Sequence, residues 1–223
     1  MKPFYRSSFG TAILILLFST TPLFPEDFLS GAFWVEYEPI VAGVAYPQSE
    51  EEAARLILEE ARFVFSGMIY GFTFRYTPSD TAREVEETFA LEPIHAIPWG
   101  DENLRITGGR VDREFYRAEV LYRLEDFQEG YLSYWSSNTL PSSSGMGAGD
   151  LFQGTEGKYD ALREGVKEAI RNYLRPRFFN KPREITGEAV LTEAPYVIID
   201  AGRYHARVRV KLDIRELRPY VIY

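Results

Sequence analysis

From Tyr204 to Leu212 the chain alternates without a break: Tyr204, Ala206, Val208, Val210 and Leu212 are apolar, and His205, Arg207, Arg209 and Lys211 stand between them. A period of two is the signature of an extended strand with one dry and one wet face. Asp200-Ala201-Gly202 supplies a turn into it from a strand around Tyr196 to Ile199. The same alternation runs through Tyr116, Ala118, Val120, Tyr122 and Leu124, and an aromatic version through Met68, Tyr70, Phe72, Phe74 and Tyr76. Thr77-Pro78-Ser79-Asp80 then reverses the chain; in residues 83–93, Val85, Phe89 and Leu91 fit a strand returning as a hairpin, the favoured reading, while Ala82, Val85 and Phe89 also fit a helix.

Two segments keep the helical period instead. Ser49-Glu50-Glu51-Glu52 is a capping box with acids on the positive end of the helix dipole. Ala53, Leu56, Ile57, Ala61 and Val64 follow on one face, and Gly67 is expected to stop the run. The second helix is predicted from Lys158 to Leu174, with Tyr159, Leu162, Val166, Ala169, Ile170 and Tyr173 as its stripe and Arg175-Pro176 as its end. Each helix has one apolar face and so covers one face of a sheet. The predicted class is α+β, a mainly antiparallel sheet packed by two amphipathic helices.

The strands Arg113–Leu124 and Gly202–Leu212 look alike, and each follows a helix. Two related helix-plus-sheet halves, 26–135 and 157–223, within one domain or two, are one reading; the commoner one is that any two amphipathic strands resemble each other. Between them, 136–156 is rich in Ser and Gly, has little apolar content and reads as a flexible loop.

The N-terminus sets an expected location. Lys2 and Arg6 flank the apolar run Thr11 to Phe18, followed by Ser19, Thr20, Thr21 and Pro22. That pattern reads as a secretory signal peptide over residues 1–25, cleaved between Thr21 and Ala32. Its apolar core is about eight residues, far short of the roughly 20 needed to span a bilayer. The expected location is the periplasm, with no integral membrane span after cleavage. The chain has no cysteine, so neither a lipoprotein anchor nor a disulfide is possible. The roughly 195 residues left after cleavage suffice to bury a core unaided.

The formal charge is −8, and losing Lys2 and Arg6 with the signal takes it to −10. An acidic chain is a poor general binder of nucleic acid. The aromatic-rich strands and the terminal Tyr220-Val-Ile-Tyr223 raise the question of an outer-membrane barrel, but two strong helices argue against it. Catalytic equipment is sparse. Without cysteine, nucleophilic chemistry would need a histidine-assisted serine, and His95 and His205 lack the neighbours for one. Ser144-Gly-Met-Gly lacks the strand-turn-helix context of a nucleophile elbow, and Gly145-Met-Gly-Ala-Gly149 lacks the Lys-Ser/Thr of a phosphate loop. Zinc and calcium spacings are absent. No catalytic residue, cofactor or metal is assigned. Asp101, Asp150 and Asp200, in Gly-rich turns, are the acids a glycosidase-like pair would draw on.

The expected binding residues are the row His205, Arg207, Arg209 and Lys211, which stands on one side of its strand against an acidic background, and Trp99. The row is either paired with cross-strand acids such as Glu188 or aimed at an anionic partner: a protein surface, peptidoglycan or a lipid headgroup. Trp99 sits in Ile97-Pro-Trp-Gly-Asp101, where Pro and Gly fix a turn that could present the indole as an interface anchor, although packing of the indole in the core is the commoner outcome.

Gly71-Phe-Thr-Phe-Arg-Tyr-Thr-Pro-Ser-Asp80, together with Ile97-Pro-Trp-Gly-Asp101, resembles the pattern of exported, uncharacterised spirochaete-type periplasmic proteins. The resemblance implies an envelope protein of a two-membrane cell, near the periplasmic flagellum or the outer envelope. A fainter likeness, helix followed by Gly-Arg-Tyr-His-Ala-Arg-Val-Arg-Val, is to secreted flagellar accessory domains. The leading expectation is a non-enzymatic exported envelope protein that binds or scaffolds another periplasmic component, a protein and possibly a flagellar one. The alternatives are a carbohydrate-active or peptidoglycan hydrolase using paired carboxylates, and a small-molecule or lipid carrier with a pocket lined by Phe72, Phe74, Tyr116 and Tyr122.

Overall fold

The computed structural model describes residues 28–178 and 180–220; the expected signal peptide and the last three residues lie outside them. The elements are β1 (Phe28–Glu36), α1 (Glu50–Ile69), β2 (Phe72–Thr77), β3 (Thr88–Pro93), β4 (Leu104–Asp112), β5 (Phe115–Arg123), α2 (Glu129–Ser136), β6 (Ser142–Asp150), α3 (Thr155–Leu174), β7 (Glu184–Leu191), β8 (Tyr196–Asp200) and β9 (Arg203–Arg218). The architecture is α+β, as the periodicities predict, with antiparallel pairing throughout. One sheet has the order β1-β5-β4. The larger runs β3-β2-β7-β9-β6, with β8 also paired to β9.

Helix α1 begins as read. Ser49 Oγ accepts from the Glu52 amide at 3.2 Å, while the Glu52 carboxylate accepts from the Gln48 amide at 2.8 Å, one residue before the usual capping-box donor. Replacing Ser49 with Ala is expected to lower the unfolding free energy by about 1 kcal/mol, read as a shifted urea midpoint at unchanged slope. Gly67 does not stop the helix. It is buried inside it because a side chain there would overlap the Phe72 ring. The turn comes at Gly71, whose φ of +79° only glycine adopts at ease. The strand expected from Met68 therefore starts at Phe72. β2 and β3 pair as the expected hairpin, Phe72 opposite Pro93.

Strand β9 is the axis of the larger sheet. On one side it pairs with β7 along its C-terminal half and with β8 along its N-terminal half; on the other it pairs with β6. The β8–β9 turn is the tight one read from sequence, with Ala201 and Gly202 both at positive φ between the paired Asp200 and Arg203. The larger sheet draws β2 and β3 from before residues 136–156 and β7 to β9 from after them.

The flexible loop expected over 136–156 is the largest departure. It holds the end of α2, all of strand β6 and the start of α3. Gly145, Gly147 and Gly149 are buried, and a Cβ on any of them would run into the α3 backbone at Gly157, Ala161, Gly165 or Ala169. Glycine is there so that strand and helix backbones can touch. Low apolar content does not mean lack of packing here, because the packing uses backbone rather than side chains.

The core is one large cluster plus a small one around Leu151, Ala161, Tyr204 and Ala206. α1 contacts β1, β4 and β5 of the small sheet and also β7 of the large one, so it lies between the two sheets. Phe33 of β1 meets Phe65 of α1 edge-on, and Phe63 of α1 meets both Phe72 and Tyr159. Among the described residues, no helix is long and apolar enough to cross a membrane.

Candidate functional site

The inward face of β9 is buried at Tyr204, Ala206, Val208, Val210 and Leu212 against the core. The intervening row therefore stands on the outer face, as alternation predicts. Its four members differ in what they touch. Lys211 is committed to structure, its Nζ donating to the Trp135 and Ser137 carbonyls at 2.8 and 3.1 Å at the end of α2. Arg209 meets Glu193 at 3.5 Å in the open. Arg207 lies over the Tyr196 ring, 5.7 Å from its centroid. His205 is half-buried between Ile198 of β8 and Ala148 of β6. Glu188, expected to neutralise the row, pairs with Arg215 instead, at 3.2 Å.

The row's cross-strand neighbours complete a surface that sequence alone did not assemble. Tyr196 and Met146 flank Arg207 from either side, and they are 62% and 59% exposed. Ile198 is also exposed beside His205, and Arg203 extends the row by one pair. Among the described residues, neither Arg203 nor Arg207 has an acidic ion-pair partner. The result is a three-stranded face combining arginine with exposed Tyr, Met and Ile, with Asp150 and Asp200 opposite Arg203 at its end. The missing signal was the pairing: β6 had to be recognised as a strand before Met146 could be placed beside Arg207.

Trp99 is 55% exposed in the β3–β4 connection, in a turn where Gly100 has φ +80°. The indole is exposed rather than packed in the core, and Trp99 is not among the row's neighbours. Its segment is tied to α1, where Ser66 Oγ accepts from the Ile97 amide and Arg62 donates to the Ile97 carbonyl.

The residues named for other chemistry have local partners. Asp101 accepts from the Asn103 amide at 2.9 Å and lies 3.4 Å from the Tyr122 hydroxyl, and Asp150 accepts from the Phe152 amide at 2.9 Å. Asp200 closes the β8–β9 turn. Phe72, Phe74, Tyr116 and Tyr122 are buried core. Gln128 donates to the Tyr70 and Tyr122 hydroxyls at 2.8 and 2.9 Å, and burial pushes the Tyr122 phenol up to about 12.

A buried charged group escaped sequence reasoning. Lys158 is 3% exposed, with its Nζ donating to the Trp34 carbonyl, 3.2 Å from Glu60 Oε2 and 3.9 Å from the Trp34 ring centroid. Glu60 is held above the usual carboxylate range chiefly by burial, with Lys158 pulling it down and Glu36 adding a smaller upward push. Glu36, itself buried, accepts from the Tyr204 hydroxyl, and burial followed by Glu36 raises that phenol. The cluster joins β1, α1, α3 and β9. Its signal was present: Lys158 stands four residues before Leu162 and eight before Val166, on the apolar stripe where a charge must find a partner.

A protein-family model matches residues 19–220. A protein of Treponema pallidum (strain Nichols), described as uncharacterised, is 26% identical over 198 residues, covering 87% of this chain and 83% of that protein. No solved structure matches the chain. Because the family model covers most of the sequence, the chain belongs to that family, and it is of the spirochaete type to which its Treponema relative and its sequence pattern both point.

Proposed function

We propose that the protein is a non-enzymatic exported envelope protein that binds or scaffolds another periplasmic component through the outer face of β8, β9 and β6. The observation that carries this reading is the face itself: Arg203, Arg207 and Arg209 beside exposed Tyr196, Met146 and Ile198. Buried Arg and Tyr dominate the energetics of protein interfaces, and Met is enriched there. A positive surface on a chain of net charge −8 favours an acidic partner. Export rests on the Lys2–Pro22 signal pattern.

The test is a double variant, Arg207→Gln with Arg209→Gln. Lys211 is left alone because it holds α2. Stability should stay within about 0.5 kcal/mol of the parent, since both side chains are exposed. Partner recovery from cells by affinity purification should fall at least tenfold, about 1.4 kcal/mol. Unchanged recovery would remove this face from the function.

A further inference from the structure

Where α3 ends, a cleft of about 420 Å³ opens between the helix and the ends of β2 and β7, a volume within the roughly 300–1,000 Å³ of small-molecule sites. Its floor is the buried Tyr76 of β2, Leu174 of α3 and Ile185 of β7. Pro78, Pro182 and the exposed Phe178 continue the apolar surface to the rim. β2 and β7 are each paired on both sides, Tyr76 between Phe89 and Ile185, and Ile185 between Tyr76 and Leu217. No strand edge therefore opens into the cleft for a polypeptide backbone to extend.

Arg171, Arg175 and Lys181 line the cleft with a single carboxylate, Glu87. That carboxylate is spoken for: it accepts from the Tyr76 hydroxyl at 2.8 Å and meets Lys167, which lies outside the cleft, at 3.2 Å. The cations are not balanced in the same way. Arg171 and Arg175 stand one helical turn apart, ~6 Å along the axis. Arg171 meets Glu168 at 3.3 Å through one of its nitrogens, and Arg175 has no acidic partner among the described residues. A basic side chain at a helix end can serve to satisfy the last carbonyls, but here Arg177 does so, donating to the Tyr173 carbonyl at 2.7 Å. Lys181, from the β7 side, donates to the Ser79 carbonyl at 2.7 Å, a neutral partner that leaves its charge uncompensated.

We propose that this cleft binds a small amphiphilic anion, its acidic head held by Arg171, Arg175 and Lys181 and its apolar body laid over Tyr76, Leu174, Ile185 and Phe178. Each part of such a ligand has its own selector. A guanidinium takes a carboxylate or phosphate through two parallel hydrogen bonds, and the apolar surface gains by being covered. A neutral amphiphile gains only the second contribution, and a cationic one meets like charge. The cleft shares no residue with the outer face of β8, β9 and β6, so either site can fail without the other.

The test titrates octanoate, octyl phosphate, octanol and octylamine, each below its micellar concentration, into the unmutated protein by isothermal titration calorimetry. At least one of the two anions should bind saturably at one site, roughly tenfold or more tighter than octanol, with octylamine weakest. Which anion binds tighter distinguishes a carboxylate ligand from a phosphate one. Arg175→Glu should weaken the preferred anion roughly tenfold or more while keeping the parent unfolding midpoint, because the side chain is exposed. Arg175→Gln, which removes the charge without reversing it, should weaken it less. Octanol or octylamine binding as tightly as the anions, no saturable binding of either anion at millimolar concentration, or unchanged binding by Arg175→Glu would overturn the proposal, and the first two are read on the unmutated protein.

Discussion

Replacing Gly147 with alanine is expected to lower the unfolding free energy by about 3 kcal/mol, the upper end of what overpacking ordinarily costs, and Gly147→Val to leave no cooperative unfolding transition. The added Cβ would overlap the Ala161 carbonyl, the Gly165 amide nitrogen and the Glu164 main chain. A rotamer change cannot relieve an overlap with backbone, so strand and helix must separate along their whole contact. Gly108→Ala is the control, in an exposed part of β4 where an added Cβ meets nothing, and it should stay within about 0.5 kcal/mol of the parent. Chemical denaturation followed by circular dichroism reads both. A Gly147→Ala protein as stable as Gly108→Ala would mean that α3 is not seated on β6.

Lys158→Met should cost about 3–5 kcal/mol, the penalty for stranding one member of a buried pair, with a pH signature that a merely steric change lacks. Glu60 has a folded value above its unfolded one, mainly from burial. The folded state therefore holds that proton more tightly. The associated stability is fully present below the unfolded value of about 4.3 and is lost as pH rises through the folded value. Lys158 opposes the upward shift, so removing it leaves burial and Glu36 acting alone. The variant should lose more stability than the parent as pH rises from 4 toward 8, and the loss should continue to higher pH. Adding Glu60→Leu should flatten this extra slope and recover much of the stability. A variant with the parent's pH profile would show that Glu60 does not feel Lys158.

The elements legible in the sequence are those whose side chains report their surroundings. α1, α3, β5 and β9 each show one apolar face at the right period, and each is buried on that face. β6 was invisible to the same reasoning because its inward positions are glycines, which carry no hydrophobic signal. Gly67 misled for the related reason that a glycine making room for the Phe72 ring looks like a glycine ending a helix. Periodicity puts the basic row on the outer face, but pairing determines what stands beside it. Lys211 reaches α2, and Tyr196 and Met146 join Arg207 only through the β8 and β6 registers. The Lys158–Glu60 pair was half legible, since a lysine on an apolar stripe demands a partner without naming it.

The most direct test of the proposed binding role is site-specific photo-crosslinking in cells, with a photoreactive amino acid at position 196 beside Arg207, a control at exposed position 110 on β4, and mass spectrometry of the products. The account predicts one reproducible protein adduct from position 196 that is absent from position 110 and lost when Arg207 and Arg209 are replaced by Gln. Adducts that are the same from both positions, or that persist in the double variant, would contradict it.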